Sequence, residues 1–192
     1  MFNVTRTVLI LSVPCAAASN ATAQRTTSRA ARVYLAVLEA SRGRAVPDTL
    51  VLRDSSARFQ MPVGAIPSWR QQFDSLPREL AIELDRVSST RVASQELSLP
   101  RPIHVLTRAL RDSLFGPADL NVGWASFHRR FPSQGQILAF SPVVFSGNGN
   151  QAMVFAESQC GGRCGRGELV WLVRDQNKDE WQVRKAILLW IS

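Results

Sequence analysis

The strongest constraint on this chain lies in its last third, where four β-like runs follow one another with only short breaks. Residues 136–145, 151–159, 168–174 and 181–191 are rich in aliphatic, β-branched and aromatic side chains. The breaks are Ser146-Gly147-Asn148-Gly149-Asn150, the cysteine and glycine segment 160–167, and the polar segment 175–180. Polar or glycine-rich connections this short join neighbouring strands as hairpins, so the four runs are expected to form an antiparallel meander. Leu169, Trp171 and Val173 fall on one face of their run, with Glu168 and Arg174 on the other. In the last run Trp181, Val183, Ile187, Leu189 and Ile191 are expected to share a face. Leu188 and Trp190 make its other face partly apolar, which predicts cover on both sides of the sheet there.

The part before the meander reads mainly as helix. Val33, Tyr34, Leu35, Ala36, Val37 and Leu38 lie on an amphipathic stretch with Ser28 placed to cap it and Gly43 placed to stop it. Leu50-Val51-Leu52 suits a short strand. A segment without sustained period, 55–75, leads to a second helix opening at Pro77, with Asp74 or Ser75 as cap and Leu80, Ile82, Leu84 and Val87 near a helical period. Ile103-His104-Val105-Leu106 is a second candidate strand, followed by a helical turn near Leu110 and Leu114. Val122, Trp124, Phe127 and Phe131 mark one face of a third helix that Pro132 ends. Helices first and strands last indicate an α+β fold, an antiparallel β meander of four or more strands with about three helices packed on it. The full 192 residues suffice for one domain with a substantial core.

The first 23 residues read as a signal peptide. Arg6 precedes the apolar run Val8-Leu9-Ile10-Leu11-Ser12-Val13, and Ala21-Thr22-Ala23 supplies the small-x-small cleavage pattern. The apolar run is too short to span a bilayer, which takes about 20 residues, and Val13 and Pro14 before Cys15 suit lipoprotein processing poorly. The expectation is an exported chain, periplasmic or secreted, cleaved near Ala23, with residues 24–192 as a single α+β domain and no transmembrane segment. Loss of Arg6 would leave 22 basic against 15 acidic residues, a net charge of +7. That balance suits an anionic partner. The arginines are scattered, with no basic run and no aromatic-interleaved basic stripe, so nucleic acid is not expected.

Trp124, Phe127, Pro132-Ser133-Gln134-Gly135, Phe145, Gln151-Ala152, the turn from Cys160 to Gly167 and the closing Trp190-Ile191-Ser192 together form a pattern. In it this stretch resembles a recurrent domain of uncharacterised exported bacterial proteins that share Pro-Ser-x-Gly, Cys-Gly-x-x-Cys-Gly-x-Gly and Trp-Ile-Ser. The resemblance covers about a third of the chain closely. It implies a helix-covered antiparallel sheet and export, and carries no activity.

Cys160 and Cys164 are the most specific local feature. In an oxidising compartment two cysteines this close, with two glycines between them, can pair across a tight turn as a staple. A redox pair would normally have two intervening residues and a helix N-terminus to activate the thiol. A metal site would need two further ligands, and neither histidine has the spacing. Gly161 to Gly167 is glycine-rich but lacks the Gly-Lys-Ser/Thr end of a phosphate loop and leads into a strand. Arg163 and Arg166 at this turn, joined by Arg129 and Arg130 if the fold brings them near, are candidates for holding an anion. His104, in an apolar strand, is expected to pack there, and His128 to lie on the surface. Either is a candidate catalytic base only if a carboxylate or serine meets it in space. Glu157, inside an apolar strand, is the candidate acid, against the plainer reading of an outward strand residue. Trp124, Trp171, Trp181 and Trp190 are expected to build core, with a tryptophan-lined sugar groove as the sharper alternative.

These residues converge on no reaction. The expectation is a non-catalytic periplasmic or secreted binding or accessory domain, with no cofactor, whose partner is an anionic envelope component or another exported protein. The alternatives are a small periplasmic hydrolase using His128 or His104 with Glu157, and a thiol-redox accessory using Cys160 and Cys164.

Overall fold

Short polar turns and long apolar runs produce a seven-stranded mixed sheet. The structure is a computed structural model that describes residues 28–42, 48–61, 72–116 and 119–192. The candidate leader, Cys15 and the Gly43 stop lie outside the described residues. In chain order the elements are α1 (Arg29–Arg42), β1 (Leu50–Arg53), α2 (Arg78–Ser88), a 3₁₀ turn (Ser94–Glu96), β2 (Ile103–Leu106), α3 (Arg108–Phe115), α4 (Leu120–Arg130), β3 (Ile137–Phe140), β4 (Val144–Phe145), β5 (Gln151–Gly161), β6 (Cys164–Asp175) and β7 (Glu180–Ile191).

The sheet order is β2-β1-β3-β5-β6-β7, with β4 pairing β5 beyond β3. The meander is present: β3, β5, β6 and β7 pair antiparallel in sequence order. The purely antiparallel expectation is corrected at one edge, where β1 runs parallel to both β2 and β3. Parallel neighbours need crossover connections, and here the chain between β1 and β2 carries α2 while that between β2 and β3 carries α3 and α4. The run 136–145 splits into two strands at Ser141-Pro142-Val143. Pro142 has no N–H to donate to a ladder, and Ser141 fills the gap by accepting from the Phe155 amide at 2.9 Å through its hydroxyl.

Both faces of the sheet are covered. On one, α1 brings Val33, Tyr34, Val37 and Leu38 against Leu50, Leu52, Leu138, Phe140, Ala152, Val154, Val170 and Leu172. Ser28 caps this helix as the sequence predicts, accepting from the Ala31 amide at 3.1 Å. The buried Tyr34 hydroxyl donates to the Ser141 carbonyl at 2.9 Å, and burial raises its pKa above the ordinary phenol value. On the other face α2 packs at one end through Leu80, Ala81 and Leu84, against Phe59, Met153, Phe155, Leu169 and Ile187. The Pro77 backbone precedes α2 without a side-chain cap, and Ser75 donates to Gln72 instead, so neither Asp74 nor Ser75 caps this helix. At the other end α3 and α4 cover Val51, Leu106 and Ile137 with Trp124, Phe127 and Phe131. Val122, expected on that buried face, is exposed.

Two bulges in the β6–β7 ladder break the even alternation expected of the last strand. An extra residue moves every later side chain to the opposite face. Trp181 and Val183 therefore face α1, while Ile187 faces α2. After the second bulge Trp190 crosses above Gly167, where a Cβ would come within 2.7 Å of its Cδ1. At the other end of the ladder the β6–β7 turn needs a left-handed residue, and Asp179 takes it with φ 55°, a conformation aspartate tolerates.

Candidate functional site

One row of side chains crosses the α3–α4 face of the sheet. The pairing register sets Leu106 of β2 beside Arg53 of β1, and places Ala139 of β3 beside Glu157 of β5, itself beside Gly167 of β6. Arg53 and Glu157 stand two strand spacings apart, roughly 10 Å between backbones. They meet because the residue between them is alanine: Arg53 Nη1 reaches Glu157 Oε2 at 2.8 Å across β3. Both side chains are largely covered, Arg53 at 28% and Glu157 at 18% exposure. Arg53 also donates from Nη2 to the Ser56 carbonyl at 3.3 Å, and from Nε to that of Ser55 at 3.5 Å. Glu157 is thus a charge held by an arginine on a covered face, which corrects the reading of an outward-facing strand residue.

Next to this pair opens a cleft of about 690 Å³. Its apolar wall is Leu106, Phe115, Leu120, Trp124 and Ile137, and its polar groups are Arg53, Arg111, Asp112 and Gln159. Gly161, Gly162 and Ser192 complete the lining. The volume lies in the range of small-molecule sites, and the mix of apolar wall and few polar groups matches them. The wall is built by an aromatic stack. Trp124 lies edge-on to Phe115 and Phe127, with ring centroids 5.2 Å apart in both pairs, and Phe127 packs on Phe131 at 5.2 Å. Gly123 lets α3 and α4 approach, since a Cβ there would meet the Leu114 carbonyl at 3.1 Å.

The cysteine turn forms the rim beside the start of α4. Cys160 and Cys164 stand at disulfide distance, with Cα atoms 5.1 Å apart, and the strands run right up to them so that Gly162 and Arg163 alone make the turn. Gly162 leans on α4, its Cβ position 3.8 Å from Leu120 Cβ. Gly165 and Gly167 face the closing residues, Gly165 toward Trp190 and Ser192 and Gly167 toward Trp190, so side chains from β7 lie flat on β6.

The predicted site residues do not converge. Arg163 is exposed at the turn, near the first residue of α4, whereas Arg129 and Arg130 are exposed at that helix's far end, about 15 Å along its axis. Arg129 donates to the Ser126 hydroxyl at 2.9 Å, and Arg130 lies over the Phe131 ring at 5.9 Å. Arg166 lies on the opposite face of the sheet from the cleft, beside Glu168 at 3.4 Å. His104, expected to pack in an apolar strand, is exposed because β2 is the sheet's edge, and its ring stands 5.6 Å from that of Phe131. Its strand lies three spacings from that of Glu157, about 14 Å. His128 is exposed, as predicted, with Nδ1 3.3 Å from the Gln134 carbonyl oxygen, which can only accept. Among the described residues neither histidine ring contacts Glu157 or a serine hydroxyl, and no group of three or more His, Cys, Asp or Glu side chains is placed to hold a metal ion. Trp124 and Trp181 are buried as expected, while Trp171 and Trp190 are half-buried. Trp124 is the tryptophan on the cleft wall. No helix among the described residues is long and apolar enough to cross a membrane.

The residues that do converge, Arg53, Arg111, Asp112 and Gln159, went unmarked in the sequence. The one available signal was Arg53, a charge closing the apolar run Leu50-Val51-Leu52. No family model, no curated protein and no solved structure matches this chain.

Proposed function

We propose that this chain is an exported binding or accessory domain, cleaved near Ala23 and working in the periplasm or outside the cell. On this reading it takes a ligand in the cleft between the α3–α4 pair and the Cys160–Cys164 turn. The observation that carries it is the cleft itself: about 690 Å³, one wall aromatic and aliphatic, and lined by an arginine, Arg53, that an ion pair with Glu157 holds in place. Its polar residues include no histidine, and its serine, Ser192, lies on the rim by the turn, so the groups suit recognition better than acid–base or nucleophilic work. The cysteine pair at disulfide distance suits an oxidising compartment. The resemblance to exported bacterial proteins through the Cys-Gly-x-x-Cys-Gly-x-Gly and Trp-Ile-Ser segments points the same way. The partner class is an anionic envelope component or a segment of another exported protein.

A panel of envelope glycans, anionic lipids and peptides, titrated into protein beginning at Gln24 and followed by calorimetry, tests the reading. Gly162→Trp places a bulky ring at the cleft, at a position where a Cβ makes only ordinary contact with Leu120 and the backbone angles suit any residue. The expected result is a panel member whose affinity falls at least tenfold in that variant, with an unchanged circular dichroism spectrum. Efficient turnover of a panel member, or binding indifferent to Gly162→Trp, would overturn it.

A further inference from the structure

We infer that the cleft takes a single-chain anionic amphiphile, a molecule with one unbranched apolar tail and one carboxylate-like head, and this rests on the binding reading above. Two features of the cleft lead there. The apolar wall is continuous from Ile137 and Leu106 on the sheet, through Trp124 and Phe115, to Leu120 on the rim. Its one hydrogen-bonding group is the indole N–H, so it matches hydrocarbon and offers a sugar's many hydroxyls a single donor. Leu120 is 56% exposed, so the apolar surface continues out of the cleft into solvent. A tail entering there would cover a leucine that the folded chain leaves wet.

The charge around the cleft, counting Arg108 just outside its lining, has one sign left over. The Arg53–Glu157 pair cancels within itself. On α3, Asp112 faces two arginines, Arg108 at 3.7 Å and Arg111 at 3.5 Å, which leaves one positive charge in that group. Asp119, at the start of α4, spends its carboxylate on the Asn121 amide at 2.9 Å, at a helix end where negative charge is favoured. Arg111 lines the cleft, is 46% exposed, and gives Asp112 one hydrogen bond, from Nη2 to Oδ1 at 3.5 Å, out of its five N–H groups. Its planar guanidinium therefore has donors to offer, in the fork that fits a carboxylate. The head meets Arg111 at the mouth, and the tail lies along the wall toward Ile137.

Calorimetry with dodecanoate and dodecyltrimethylammonium below their micelle concentrations, and dodecanol below its solubility limit, separates the contributions. Dodecanoate is expected to bind at least tenfold more tightly than dodecanol, and the cationic probe more weakly than either. Decanoate is expected to lose roughly tenfold against dodecanoate, from two fewer buried methylenes. Arg111→Gln, an exposed substitution that leaves the fold intact, should remove the preference for dodecanoate and leave dodecanol unchanged. Gly162→Trp should weaken all of them. Equal affinity for the three heads, or preference for the cation, overturns the inference. Binding to phosphatidylglycerol vesicles that Gly162→Trp does not affect also overturns it in favour of a membrane surface. If no amphiphile binds while a glycan or peptide still binds in a Gly162-sensitive way, the amphiphile fails and the binding reading survives. If nothing binds at the cleft, both fail.

Discussion

The Arg53–Glu157 pair makes an asymmetric prediction about stability. At 2.8 Å the gross attraction is about 6 kcal/mol at an effective dielectric of 20, before the cost of taking both charges from water. Exposed pairs net about 0–1 kcal/mol, and stranding one charge of a buried pair costs about 3–5 kcal/mol. With exposures of 28% and 18% this pair lies between those limits, and a coupling energy of about 1–2 kcal/mol is expected. The two partners are not equivalent. Arg53→Met keeps the apolar stem but leaves the Glu157 carboxylate without its guanidinium on a covered face, and it also removes donors from the Ser55 and Ser56 carbonyls. That variant should lose about 3 kcal/mol. Glu157→Gln keeps an acceptor for Arg53, whose other donors stay bonded to carbonyls, and should lose about 1 kcal/mol. The signature is the double variant, in which no charge is stranded. It should be more stable than Arg53→Met alone by about 1 kcal/mol. Urea unfolding followed by tryptophan fluorescence measures all three, provided the denaturant slope stays constant so that midpoint shifts report stability. A double variant less stable than Arg53→Met, or two singles both within about 0.5 kcal/mol of the parent, would show that the pair is solvated and refute the burial argument.

Two further outcomes are expected. Ser88 joins α2 to the segment before it by accepting from the Phe59 amide at 3.2 Å and donating to its carbonyl at 2.9 Å. Ser88→Ala leaves both groups buried and unpaired, and should cost about 1–3 kcal/mol by chemical denaturation, whereas exposed Ser89→Ala should change little. Asp179 is held below the usual aspartate range by hydrogen bonds from Arg174, with Nε 2.6 Å from Oδ1, and from Arg32. A depressed carboxylate stabilises the fold above its unfolded value, and that contribution fades as pH falls through the lower folded value. The thermal midpoint of the parent should therefore fall more steeply than that of Asp179→Asn as pH drops from about 5 toward 2, with parallel profiles counting against it.

The local and the tertiary parts of this fold were unequally legible. The meander could be read directly because each of its turns lies in a few adjacent residues. Ser146 to Asn150 and Asp175 to Glu180 announce the reversals, and antiparallel neighbours joined by such turns pair by proximity. The helices over 29–42, 78–88 and 120–130 were visible as apolar periods, and Ser28 as the cap of the first. The strands at Leu50 and Ile103 were visible too, but not their parallel partnership. That pairing joins residues about 50 apart through crossovers whose path no local composition specifies. The bulges in β7 escaped for a related reason, since an extra residue in a ladder is a property of the pair and not of one strand.

The sequence by itself determined most of the helical and strand segments, the hairpin order of the last three long strands and the closeness of Cys160 to Cys164. All of these depend on contacts within a few residues or across a tight turn. Tertiary structure decided everything about the cleft. Arg53, Ala139, Glu157 and Gly167 come from four strands, and only the sheet's register sets them in one row, with alanine small enough for an ion pair to cross it. Long-range register follows from how three separate apolar clusters fill space on two faces, and no window of the chain contains that information.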